Sequence, residues 1–93
     1  MEQALLVTTD KGGVFFGYGE PPATPECILL RRARMCVSWS MEMHGFLGLG
    51  SVGPDKDCCV SPAVPEFTLW GLTSVTIVSP EAAKAWERAP WKK

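Results

Sequence analysis

The sequence predicts an α+β fold: a small antiparallel β-sheet or barrel of five to six strands, closed by one C-terminal helix. Three observations lead there. Short apolar, β-branched runs recur along the chain between Gly- and Pro-rich breaks. The DKGG sequence at 10–13 reads as a hairpin turn joining the first two runs. Near the C-terminal end, SPEAAKAWERAP carries a helix start, an amphipathic repeat and a stop.

Taken in order, ALLVTT at 4–9 is the first strand and VFFGY at 14–18 the returning one, with Gly17 marking a bulge or a close backbone approach. GEPPATPE at 19–26 has three prolines in eight residues and is a loop. CILLRRARMCVSWS at 27–40 reads as two strands, about 27–32 and 35–39, with a bend or bulge near Ala33. Strict alternation sets Ile28, Leu30, Arg32, Arg34, Cys36 and Ser38 on one face, and a bulge would flip that register partway. Residues 41–57 hold four glycines and read as an irregular apolar loop with room for one helical turn. A short strand at 58–61, a Pro-bounded corner at 62–65 and a long strand at 67–78 follow. In the helix at 80–89, Ser79 is the N-cap, Pro80 suits the first helical position and Glu81 faces the positive end of the dipole. Ala82, Ala83, Trp86 and Ala89 share the face that should dock on the sheet, and Trp91 beyond Pro90 should fold back as an anchor.

Ninety-three residues make a single domain, 1–93, because a second core would not fit. Hydrophobic residues are 46% of the chain, which excludes disorder on composition. Four Trp and four Phe are many for this length, and part of that aromatic surface is expected against another subunit. The net charge of −1 supplies no field for long nucleic acid. The start of the sequence lacks the basic, long apolar pattern of a signal peptide, and no run of about 20 apolar residues offers a membrane span. The expected compartment is the cytoplasm, where Cys27, Cys36, Cys58 and Cys59 remain thiols. No C-x-x-C occurs, and the adjacent Cys58 and Cys59 point to opposite faces of a strand, so no structural zinc and no cofactor are expected.

Catalytic patterns are missing from the sequence. His44 is the single histidine and has no local partner that would make a Cys–His pair; Asp55 and Asp57 are the single close carboxylate pair. GFLGLG at 45–50 lacks the Lys-Ser/Thr of a phosphate loop. The arginines are more informative. Arg32 and Arg34, two residues apart on one strand face, can share a phosphate or carboxylate through their guanidinium forks. The alternative is a solvated edge strand that carries charge against aggregation. Phe15, Phe16, Trp39 and Trp70 are either core or a stacking surface for a base.

GVFFGY (13–18), ARMCVSW (33–39), GFLGLG with a nearby GP (45–54) and TLWGLTSV…SPEAAKAWERAPW (68–91) give the chain a resemblance to small phage-encoded proteins, the Thoeris anti-defence sponges of the first class. The resemblance implies a non-enzymatic protein that binds a cyclic ADP-ribose-type immune signal, or a related cyclic nucleotide, without cleaving it. It also implies a homo-oligomer acting in the host cytoplasm. A phosphate contact transfers to Arg34 by its place in the motif; Arg32, Trp39 and Phe46 join it from strand geometry and neighbourhood. The PPATP loop and the Cys58–Cys59 pair lie outside the shared pattern. The alternative from another class is a protein–protein inhibitor such as an anti-CRISPR protein, with the aromatics as interface anchors; a small nucleotide-directed enzyme is a third.

Overall fold

The computed structural model describes residues 2–10, 12–21, 26–38, 46–51, 53–54 and 58–89. The elements are β1 (Gln3–Thr9), β2 (Val14–Gly19), β3 (Cys27–Ser38), α1 (Phe46–Ser51), β4 (Cys59–Val60), β5 (Val64–Trp70), β6 (Leu72–Ile77) and α2 (Pro80–Arg88). The strands make one antiparallel sheet in the order β4-β3-β2-β1-β6, with β5 also paired to β3. This is the expected small α+β fold with its C-terminal helix.

β2 occupies one edge of β3, and β4 and β5 follow one another along the other. The corner between β4 and β5 is fastened by Ser61, whose N–H donates to Met35 O and whose Oγ accepts from Met35 N–H. Pro62 and Ala63 complete the corner before β5 begins at Val64.

The long strand expected at 67–78 is in fact two strands on opposite sides of the sheet. β5 lies beside β3, whereas β6 lies beside β1. Gly71 alone separates them, so the sheet must curl until its two ends meet. Gly71 marks the meeting point: its N–H donates to Glu26 O before β3, and its carbonyl accepts from Asp10 N–H after β1. Its φ of 67° lies in the left-handed region that glycine enters at no cost. The β-branched residues around it hid this break.

The curl produces two cores on opposite faces. Leu6, Val14, Phe16, Cys36, Leu49, Cys58, Val60, Val78, Ala82 and Trp86 fill the first, beneath the helices. Leu5, Val7, Phe15, Ile28, Leu30, Ala33, Leu69 and Leu72 fill the second, inside the curl. β1 feeds both, with Leu6 on one side and Leu5 and Val7 on the other, which explains its unbroken apolar run. Cys27 and Cys59 are half-buried, and Cys36 and Cys58 belong to the first core.

Residues 27–38 form one strand rather than two. The expected bulge is present as an interruption within it: Phe16 pairs Arg34 but Tyr18 pairs Arg31, so β3 has one residue more than β2 across this step. Arg32 takes the strain, with φ 51°. The face assignment made by strict alternation is therefore corrected: Ile28, Leu30 and Ala33 share the second core, while Cys36 enters the first. Gly17 sits opposite the bulge, where a Cβ would lie 2.7 Å from Leu30 Cβ. Within the stretch read as an irregular loop with a helical turn, residues 46–51 form the short helix α1.

α2 forms as its sequence dictates. Ser79 caps it by accepting from Ala82 N–H at 3.0 Å, and Ala82 and Trp86 are its buried residues. The Trp86 indole donates to Leu49 O at 3.0 Å and stacks on Phe16 with ring centroids 5.0 Å apart, fixing α2 to α1 and β2. Trp91, His44, Asp55 and Asp57 lie outside the described residues.

Candidate functional site

Alternation along β2 sends Phe16 and Tyr18 to the helix-covered side. The rings meet edge to face with centroids 5.3 Å apart, so the indole–phenyl stack continues outward to a half-buried phenol. On β3, the bulge swings Arg32 across the sheet, and its guanidinium carbon lies 4.2 Å from the centre of the Tyr18 ring. This is the distance of a cation–π contact, and it holds an exposed, planar donor group in one orientation.

The Glu2 carboxylate joins this group. Its Oε1 accepts from Arg32 Nη2 at 3.0 Å, and its Oε2 lies 3.7 Å from Arg31 Nε. Two adjacent guanidinium groups thus share one two-oxygen anion. Arg31 also reaches Glu66 across to β5 at 3.7 Å.

Arg34 behaves differently. It is buried at 8% exposure, with Nε donating to Ser61 O and Nη1 donating to Trp86 O. Burial pushes its pKa below the usual arginine value. Two of its five N–H donors thus serve backbone carbonyls, one on the β4–β5 corner residue Ser61 and one at the end of α2.

Arg32 and Arg34 nonetheless line one cleft, of about 200 Å³, together with Phe16, Tyr18, Ala63 and Glu87. The carboxylate of Glu87 on α2 lines this cleft with Tyr18 and opposes ionisation of the phenol. Burial, reinforced by this carboxylate and opposed by Arg32, pushes the Tyr18 pKa up to about 12. The phenol is therefore a neutral donor over the whole physiological range. On the other side of Arg34 lies a groove of about 510 Å³ with Phe15, Met35, Pro62, Val64 and Phe67 in its walls. Phe15 and Phe67 meet there edge to face at 5.5 Å.

Of the residues expected to bind ligand, Arg32 and Arg34 come together, but as unlike partners: one exposed on an aromatic ring, one buried beneath a helix end. Trp39 lies outside the described residues, and Phe46 begins α1 with its side chain outside them as well. Sequence reasoning missed Tyr18, Glu2 and Glu87, and it left Arg31 out of the site because strict alternation set that residue on the opposite face from Arg32 and Arg34. Alternation in VFFGY could have placed Tyr18 beside Phe16, but its meeting with Arg32 depends on the bulge. Among the described residues, no three His, Cys, Asp or Glu side chains gather as a metal site, and no helix is long and apolar enough to cross a membrane.

The fold and site define a small, curled α+β sheet protein with a cation–aromatic cleft between its sheet and its C-terminal helix. Residues 2–86 match the family described as a domain of unknown function, DUF6948, and the chain belongs to that family. No curated protein and no solved structure matches the chain.

Proposed function

We propose that this is a phage anti-defence protein that binds an anionic, base-bearing small molecule and holds it intact, the leading candidate being a cyclic nucleotide immune signal of the cyclic ADP-ribose type. The observation that carries the anion part is the Glu2 carboxylate shared by Arg31 and Arg32. A phosphate presents the same pair of oxygens with more charge, and guanidinium forks favour it. The Arg32–Tyr18 stack pre-orients the donor, which lowers the ordering cost of binding. The resemblance to the sponge family supplies the choice of nucleotide and the host cytoplasm as its place of action. At about 200 Å³ the cleft is below the ~300–1,000 Å³ usual for ligand sites, so the ligand extends over the Arg31–Arg32 rim or is walled by a second copy in a homo-oligomer.

The test is a thermal-shift screen with cyclic ADP-ribose isomers and cyclic oligonucleotides. A ligand at 100 times its dissociation constant adds about 2.7 kcal/mol to stability, and it should be recovered unchanged from heat-denatured protein. A cleaved product would make the protein an enzyme. A second reading, a protein–protein inhibitor such as an anti-CRISPR protein, is favoured by one observation: Leu29 and Trp70 stand exposed on the sheet.

A further inference from the structure

We propose that a second copy of this chain packs on the outward face of the β3–β5 ribbon, about a two-fold axis that sets Arg31 of each copy against the partner's Glu66. The register defines this face. Cys27 pairs Trp70, Leu29 pairs Thr68 and Arg31 pairs Glu66, and residues opposite one another in an antiparallel pair project to the same side. The alternate residues Ile28, Leu30 and Leu69 turn inward to the second core. The helices cover the first core, further along the sheet, so the outward side of the ribbon carries Leu29 at 42% exposure and Trp70 at 68%.

Charge complementarity selects the occupant. Glu66 is the sole charged residue of β5, and it stands with Arg31 at the end of the patch, one row beyond Leu29 and Thr68, each side chain 55% exposed. A patch with both signs side by side is complementary to itself. A two-fold axis parallel to the strands, midway between β3 and β5, lays β3 over the partner's β5 at the same height. Arg31 then faces the partner's Glu66 twice over, and Leu29 and Trp70 are withdrawn from water on both copies. A foreign protein would need to reproduce this pattern, whereas a second copy carries it already.

The test needs no nucleotide, so it succeeds or fails independently of the proposed ligand. Sedimentation at micromolar concentration should give a dimer. Arg31→Glu and Glu66→Arg should each raise the dimer dissociation constant at least about tenfold, because each places like charges across the axis. Both variants should melt close to the parent, since an exposed ion pair contributes little to the fold. An equimolar mixture of the two should restore the dimer, because every contact across the axis again joins opposite signs. Trp70→Ala should weaken the dimer without loss of fold. A monomeric parent, single variants that dimerise as well as the parent, or a mixture that fails to reassociate would overturn the proposal. A monomer that captures a host protein through Trp70 would overturn it too and assign the face to an inhibitor.

Discussion

The Arg34 guanidinium donates through Nη1 to the main-chain carbonyl of Trp86, in the last turn of α2. A helix leaves its final carbonyls without intrahelical donors and its C-terminal end partially negative. Arg34 answers both needs from the neighbouring strand, and through Nε it also holds the Ser61 corner.

Arg34→Ala should therefore act first on stability. Hydrogen bonds from a charged group are worth about 1.5–3 kcal/mol each, so the loss should be about 2–4 kcal/mol in urea unfolding. Arg34→Lys should recover only part, because an ammonium cannot span two carbonyls as a guanidinium fork does. An unchanged unfolding midpoint in Arg34→Ala would contradict this role.

Tyr18 is the sole tyrosine of the chain, so tyrosinate absorbance reports it alone. Its pKa should lie well above the ordinary value of 10, near about 12. Glu87→Gln should bring it down, since the carboxylate opposes a second negative charge. The stabilisation linked to the raised pKa is complete below about pH 10 and disappears as the pH climbs toward about 12. Tyr18→Phe should lack that alkaline component in melting curves. A tyrosinate midpoint near the ordinary value would show that the phenol is not held between the sheet and Glu87.

Gly71→Ala should cost about 1–2 kcal/mol, the penalty for an L-residue in the left-handed region. Its new Cβ would also sit 2.7 Å from Asp10 Oδ1, and that carboxylate must turn aside. Chemical unfolding measures the effect. A neutral substitution would mean that the sheet does not depend on this junction for its curl.

These sites also show how far local sequence reaches. α2 was fully legible because its cap, first-turn proline and buried stripe are contiguous in SPEAAKAWER. The β1–β2 hairpin was legible from DKGG, and a bulge near Ala33 from the conflict between arginines and apolar alternation. The residue that absorbs the bulge was not legible, since arginine has no preference for positive φ. Gly71 was missed because strand-forming residues flank it and their own preference says nothing of which edge each half joins. The contact between Tyr18 and Arg32 depends on a register shift between distant segments, so the alternation of neither strand contains it.

Glu2→Gln should strengthen anion binding. Glu2 occupies the place between Arg31 and Arg32 that a phosphate would take. Each exposed ion pair is worth about 0.2–1 kcal/mol, so inorganic pyrophosphate should bind roughly two- to fivefold tighter when the carboxylate is removed. An NMR titration reads this directly. Equal or weaker binding in Glu2→Gln would mean that the two arginines are no anion site.

The most direct measurement is isothermal titration of cyclic ADP-ribose isomers and cyclic oligonucleotides into the parent protein and Arg32→Ala, with melting followed in parallel. Arg32 is exposed and contributes little to the fold, so the variant should melt within a few degrees of the parent. Loss of a charge-assisted contact should weaken binding by roughly 10- to 150-fold, corresponding to about 1.5–3 kcal/mol. A folded Arg32→Ala protein that binds as tightly as the parent, or a parent that binds none of these nucleotides, would contradict the proposal that this cleft captures a nucleotide signal.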